Sequence, residues 1–360
     1  MSSPPYAREL ALALQTVHRA SLLTKQFLRS LSNNVAAETK TDDSPVTIAD
    51  FAAQALIISA ISAVFPSDGF IGEESATALR EKPSLCSNVW NLVSSAPQVG
   101  DFEGEALRKP KGVQEMLDVI DLGAGEQTAK GRVWVLDPVD GTATFMKGQQ
   151  YAVCLALLVD GVQKVGVIGC PNLRRSPAGG KIHEDLVDVE GYGIMLSAVE
   201  GQGAFVRGMD AKGLEGAERI ELKEKNVDLS ELDFVDAAPG WSSLSQETHR
   251  AVEESLGAKW PGTQLWSQQM KYISLALGAT DVMLRIPPSR DRWTQVWDHA
   301  GGQLIFQEAG GIIKDLDGGA IDMGQGRKIH GQRNFGTIAA LPWCFERVME
   351  ATKKALECSK

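Results

Sequence analysis

The sequence predicts a mixed α and β protein with two packing styles. The first half reads as antiparallel strands covered by helices (α+β), and the second as an alternating α/β layer. Three observations lead there. Helical patterns open the chain. Two apolar, β-rich runs at 151–159 and 162–169 meet at Asp160-Gly161, a favoured two-residue hairpin turn. After residue 231, short apolar runs alternate with helical segments that end in glycine.

In chain order, Leu10, Leu14, Val17, Leu28 and Leu31 recur at helical spacing over 6–31. Residues 32–44 are polar and read as a loop, either a solvated connector or a mobile segment beside a site. Thr47-Ile48-Ala49-Asp50 has the spacing of a capping box, which places Asp50 in the first turn of a helix that Pro66 stops. Residues 70–75 read as a short strand ending in Glu73 and Glu74. Neighbours on a strand point to opposite faces, so one glutamate faces a site and the other faces solvent or a helix. Pro83, Pro97 and Pro110 break the stretch 78–130, a surface insertion with one or two helices, one of them over 113–122.

Residues 133–136 form a buried strand that Asp137 ends and Pro138 stops from pairing further. Asp137 and Asp140 then lie three apart on a tight turn, with the Val139 carbonyl between them. Gly141 lets the backbone approach a ligand, and Thr142 adds a hydroxyl. Carboxylates and a carbonyl, with no His or Cys beside them, suit a hard cation such as Mg²⁺. Any single Asp-Pro or Asp-Gly would read as a strand–turn–helix junction that binds nothing.

Strands are expected over 193–198 and 204–207. The charged, glycine-containing stretch 208–231 predicts a boundary, giving domains 1–230 and 231–360. The second half predicts strands at 234–237, 281–286, 312–314 and 337–340. Helices are expected at 245–256, 268–277 and 299–309, with a last one started by Pro342.

Composition narrows the function. The 360 residues carry 36 Lys and Arg against 46 Asp and Glu, a net charge of −10 with no long basic run, which argues against polymeric nucleic acid. Five cysteines without CxxC spacing predict reduced thiols and a cytoplasmic protein. No apolar run reaches membrane-spanning length, so no membrane partner is expected, and the chain is expected to be a monomer.

Asp137-Pro138-Val139-Asp140-Gly141-Thr142 resembles the first signature of the inositol monophosphatase superfamily, and Trp297-Asp298-His299-Ala300-Gly301-Gly302 resembles the second. Gly72-Glu73-Glu74-Ser75 lies upstream in the expected order. Within the superfamily the chain is similar to the eukaryotic 3′(2′),5′-bisphosphate nucleotidases, through Thr47–Asp50, residues 131–145, 152–157 with 169–173, and Lys271-Tyr272 through Leu284-Arg285. The resemblance implies a layered α-β-α-β-α sandwich like that of inositol monophosphatase and fructose-1,6-bisphosphatase. It implies removal of the 3′-phosphate from adenosine 3′,5′-bisphosphate and from 3′-phosphoadenosine 5′-phosphosulfate in sulfur assimilation, with Mg²⁺ required and Li⁺ or Na⁺ inhibitory.

By the same resemblance, Glu73, Asp137, the Val139 carbonyl, Asp140 and Asp298 hold two or three Mg²⁺ ions. Asp50 and Thr142 activate the attacking water, with Thr142 donating to Asp50. Gly141 and Thr142 meet the phosphate, while Ser267, Lys271, Arg285 and Asp298 contact the nucleotide. Three departures stand out. Gly240-Trp241-Ser242-Ser243 replaces Gly-His-Ser-Ser, and Trp241 either stacks on adenine or packs. The Ser267–Lys271 spacing is one residue longer than the family's, and Ala143-Thr144 stands where Lys-Gly is usual. Two other functions share these residues: an inositol phosphate 1-phosphatase with the same metal site, and a nucleotide sensor without turnover.

Overall fold

The computed structural model describes residues 4–33, 45–125, 130–175, 180–223, 228–238, 240 and 243–358, with side chains at 32–33 and 45–47 left aside. Two long helices, α1 (Ala7–Asn33) and α2 (Pro45–Val64), lie on one face of a seven-stranded sheet. On its far side α2 carries α3 (Thr77–Glu81), α4 (Pro83–Ser94) and α5 (Val113–Leu122). The 78–130 stretch is therefore more than a surface insertion. Leu79, Leu85, Val89, Val93, Met116 and Ile120 are buried against Phe51, Leu56 and their neighbours on α2. That explains why α2 is apolar all round: it is sandwiched between two layers. A two-stranded ribbon, β2 (Asp101–Phe102) and β3 (Glu105–Ala106), links α4 to α5.

The large sheet has the order β1-β4-β5-β6-β7-β8-β9. Its strands are β1 (Gly69–Gly72), β4 (Arg132–Asp140), β5 (Ala152–Val159), β6 (Val162–Cys170), β7 (Ile194–Val199), β8 (Gly203–Gly208) and β9 (Glu218–Arg219). Only β1 and β4 pair in parallel. The β5–β6 turn forms at Asp160-Gly161, both at positive φ, as the sequence predicts. Strands β4 to β7 are buried on both faces, which is why they read as continuous apolar runs. Strand β9 lies inside the predicted boundary stretch and prolongs the same sheet.

On the sheet's other face lie α8 (Gln268–Ala276) and α9 (Ala300–Glu308). Beyond them is a three-stranded antiparallel sheet of order β12-β16-β14, made of β12 (Val282–Arg285), β16 (Thr337–Ala340) and β14 (Ile312–Lys314). The outer layer is α7 (Gln246–Ser255) and α10 (Phe345–Cys358). Two small ribbons complete the half: β10 (Val235–Asp236) with β11 (Thr263–Gln264), and β13 (Trp293–Gln295) with β15 (Lys328–His330). The order of layers is helix, sheet, helix, sheet, helix. One apolar core joins Ile168, Leu196 and Ala152 of the first half to Tyr272, Phe306 and Ile338 of the second.

Three local expectations are corrected. Helix α2 begins at Pro45, so Thr47 lies inside it and Asp50 falls in the second turn rather than the first. Pro138 does not end the strand, because β4 resumes pairing at Asp140 after a bulge. The C-terminal helix begins at Phe345, three residues after Pro342. Among the described residues no helix is long and apolar enough to cross a membrane. The five cysteines are free thiols, and all but Cys358 are buried.

Candidate active site

The bulge in β4 sets the geometry. Asp137 pairs with Cys154 and Asp140 with Ala152, so three steps on β4 match two on β5. Residues three apart on a regular strand point to opposite faces. The extra residue resets that parity, and Asp137 and Asp140 reach the same cleft. Val139, in the bulge, is buried. Gly141 follows at φ 101°, where a Cβ would lie 2.9 Å from Thr144 Oγ1 and 3.0 Å from Ser267 Cβ. Glycine is required there on both counts. A short helix, α6 (Thr142–Phe145), starts at Thr142, whose side chain is exposed.

The predicted acids converge. Burial raises the Asp137 pKa far above its ordinary value, and the fields of Glu73, Asp140, Asp298 and Asp50 raise it further. Burial likewise pushes Asp50 well up, reinforced by Glu74 and Glu73. Asp298 is brought to about 7, chiefly by burial and then by Asp140. Glu73, an exposed residue beyond the end of β1, is raised by the low-dielectric cleft wall, while a hydrogen bond with Asp137 opposes the rise. Glu74 is half-buried and packs on α2: Gln54 Nε2 donates to its carbonyl at 2.7 Å and Gln54 Oε1 accepts its N–H at 3.1 Å. Its carboxyl is lifted to about 7 by burial and by Glu73.

Asp140 is held by protein alone. Ser267 Oγ donates to it at 2.6 Å, and the Gln268 and Gln269 N–H groups donate at 3.2 and 2.5 Å. It thus sits on the positive end of α8, whose N-cap is Ser267, itself accepting from the Met270 N–H at 3.0 Å. These bonds oppose the rise in pKa that burial causes. Ser267 is 1% exposed and committed on both sides, so it supports Asp140 instead of facing open space. A Ser before an apolar helical run is a cap signal that the sequence carried.

Asp298 precedes α9 but does not cap it; His299 occupies the N-cap position, without a side-chain cap bond. Both neighbours of Asp298 are pinned. Gln269 Nε2 donates to the Trp297 carbonyl at 2.7 Å, and the His299 ring meets Tyr272 at 2.8 Å and Thr294 at 2.9 Å. Gln269 thereby couples Asp140 to Asp298, a link that the sequence pattern did not reveal.

Two cations stand near these acids, and both Arg285 and Lys271 act on Asp298. Lys271 is 5% exposed, and burial and Arg285 lower its ammonium pKa to about 8, against the pull of Asp236, Asp140 and Asp298. Arg285 is half-buried and bonds Gln268 Oε1 and Thr294 Oγ1. Beyond it lies a cavity of about 330 Å³ lined by Arg285, Arg292, Trp293, Thr294 and His299 among others, with no carboxylate in its wall. Trp241 lies outside the described residues. The Thr142–Asp50 hydrogen bond is not made among the described residues, and Asp50 Oδ1 has no partner.

These residues fit a hard cation. The donors are all oxygen, and Asp50 Oδ1 and Asp137 Oδ1 are both buried and unpartnered. Each such oxygen costs about 1–3 kcal/mol, so a pair in one cleft calls for something from outside to bind them. Among the described residues no salt bridge within 4.0 Å joins Asp50, Glu73, Asp137, Asp140 or Asp298 to Lys or Arg. Among the described residues no group of three or more Asp, Glu, His or Cys is placed to hold a metal ion as it stands, so the fit rests on the chemistry of the oxygen donors and the two orphaned carboxylate oxygens.

Known proteins share the pattern. The chain is 39% identical to a 3′(2′),5′-bisphosphate nucleotidase of Emericella nidulans, over 98% of this chain and 99% of that one. It is 39% identical to one of Schizosaccharomyces pombe, over 96% and 94%. Among solved structures it resembles inositol monophosphatase II of Staphylococcus aureus, with a TM-score of 0.56, 18% identity and coverage of 96% and 90%. It also resembles SuhB of Mycobacterium tuberculosis, with a TM-score of 0.56, 18% identity and coverage of 99% and 98%. The fold is thus the layered sandwich of those proteins. The family model described as the inositol monophosphatase family matches residues 7–345, and the chain belongs to that family.

Proposed function

We propose that this chain is a Mg²⁺-dependent phosphomonoesterase that removes the 3′-phosphate of adenosine 3′,5′-bisphosphate, giving AMP and phosphate. It would also act on 3′-phosphoadenosine 5′-phosphosulfate, within sulfur assimilation, and be inhibited by Li⁺ or Na⁺. One observation carries the reading. Asp50 and Asp137 keep unpartnered buried oxygens among the other site acids, and Lys271 and Arg285 lie near enough to act on Asp298, which suits a substrate with two anionic groups. The near-full-length likeness to proteins named bisphosphate nucleotidases supports the same substrate class.

Glu73, Asp137, the Val139 carbonyl, Asp140 and Asp298 would hold two or three Mg²⁺ ions. When bound, these would neutralise the acids and offset charge on the phosphoryl group. The remaining work falls to side chains. Gly141 keeps the turn open to the 3′-phosphate. The Thr142 hydroxyl and Asp50 Oδ1 are assigned to relaying the attacking water's proton, since a threonine hydroxyl alone is too weak a base. Asp140 is prealigned by Ser267, Gln268 and Gln269, so no reorganisation is needed at the moment of reaction. Lys271 and Arg285 would bind the 5′-phosphate.

The test is phosphate release, with Mg²⁺ or with chelator, across adenosine 3′,5′-bisphosphate, its 5′-phosphosulfate, 3′-AMP and inositol 1-phosphate. Preference for the two bisphosphorylated nucleotides, lost with chelator, is expected. Turnover of the inositol ester alone, or nucleotide binding without release, would overturn the reading.

A further inference from the structure

One side chain reaches from the C-terminal half to the ends of two site elements. Arg327, just before β15, sends Nη1 to the Gly123 carbonyl at 2.9 Å and Nη2 to the Gly72 carbonyl at 2.7 Å. Its guanidinium also lies over the Trp297 ring, 4.8 Å from the centroid. Its backbone carbonyl accepts from the Val296 N–H at 3.0 Å. Gly72 immediately precedes Glu73, and Trp297 immediately precedes Asp298. The same guanidinium therefore touches the neighbours of two acids that lie more than two hundred residues apart.

The surroundings leave little slack. The Gly72 N–H donates to the Gly123 carbonyl at 2.9 Å, so the two carbonyls that Arg327 grips are already tied together. A Cβ at Gly72 would stand 2.5 Å from Gln54 Oε1, the atom that holds the Glu74 N–H. Ile71, Trp297, Met323 and Ile329 pack in one apolar cluster along this sheet edge. Glu73 is thus clamped from before by Arg327 and from after by Gln54.

We propose that Arg327 is a positioning residue that fixes Glu73 relative to Asp298, so that both acids meet the same divalent cations. The proposal rests on reading the acids as a Mg²⁺ site. It carries an unusual sign. Arg327 is a positive charge beside Glu73, and Coulomb's law alone says that deleting it strengthens cation binding. Positioning says the opposite.

The experiment is calorimetric titration of Mg²⁺ into chelator-treated, substrate-free protein, for wild type, Arg327→Ala and Arg327→Lys. Lysine keeps the charge but lacks the planar fork that spans two carbonyls while stacking on a ring. Both variants are expected to bind Mg²⁺ about 10-fold more weakly, on the scale of losing part of the structure around a metal ligand. The Mg²⁺ concentration for half-maximal phosphate release should rise in step, while the nucleotide KM stays within about 3-fold. Arg290→Ala, which removes an exposed pair with Asp317 over the Phe335 ring, serves as control and should change neither. Should Arg327→Ala fail to fold by circular dichroism, Arg327→Lys carries the test alone. Tighter or unchanged Mg²⁺ binding in a folded variant would overturn the proposal while leaving the metal reading intact. No Mg²⁺ binding by the wild type would overturn both.

Discussion

Asp137 and Asp140 sit on the same strand, on either side of one bulge, in opposite surroundings. Asp140 accepts from Ser267 and from two N–H groups at the start of α8. Asp137 keeps an unpartnered buried oxygen and is ringed by four other acids, one of which, Glu73, hydrogen-bonds to it. The Asp140 wall is finished by the protein itself. The Asp137 wall is left incomplete, and the strain of like charges there is relieved only by protons or by cations from outside. The site acids can therefore be sorted by what they lack: three protein donors prealign Asp140, while Asp137 keeps a buried oxygen with no partner.

That contrast can be broken at either wall. The largest effect is expected from Asp137→Asn, which should lower kcat/KM about 10³-fold or more in a phosphate-release assay. In chelator the same variant should melt higher than wild type, because one repelled carboxylate is gone. Unchanged turnover, or a lower melting temperature, would show that Asp137 is not the incomplete side. Next come Lys271→Met and Arg285→Gln. Each removes a cation that the proposed function assigns to the 5′-phosphate and should raise the KM for adenosine 3′,5′-bisphosphate about 10- to 100-fold with a smaller change in kcat. 3′-AMP, which lacks that group, should be nearly indifferent to either change.

Ser267→Ala probes the finished wall more gently. Losing one hydrogen bond to Asp140 should reduce kcat about 5- to 10-fold without moving the nucleotide KM. A rise in KM alone would mean that Ser267 serves the nucleotide directly. The smallest effect tests whether burial by itself explains the acids' behaviour. Glu253 is 1% exposed and outside the cleft, and burial, with Asp236 and Asp233, raises its pKa to about 8. An acid whose folded pKa is raised contributes stability below its unfolded pKa and loses it as pH rises toward the folded value. Stability should therefore fall between about pH 4.5 and pH 8 in wild type. Glu253→Gln should flatten that fall and gain about 1 kcal/mol at pH 8 by thermal melts, with turnover unchanged.

Much of this architecture was legible in residues close together in the chain. The Asp160-Gly161 hairpin, the 113–122 helix and the glycine-ended helices of the second half follow from local backbone preferences. The acids themselves could be named from their motifs. What could not be read depends on partners far away or on parity. The bulge at Pro138-Val139 inserts one residue into a ladder, and only the register with β5 shows it. The cap that α8 places on Asp140 joins positions 127 to 129 residues apart. The burial of α4 and α5 needed the knowledge that α2 has a second face to cover. Local pattern sets the start of α2 too late, because Thr47-x-x-Asp50 imitates a cap inside a helix that Pro45 begins.

Gly141 sets how closely the turn after β4 approaches α8, since a methyl group there would press on Ser267 Cβ at 3.0 Å. The residue acts as a gauge block. Thickening it by one atom would pry the helix end away from Asp140, so alanine there should damage acid alignment and turn conformation together.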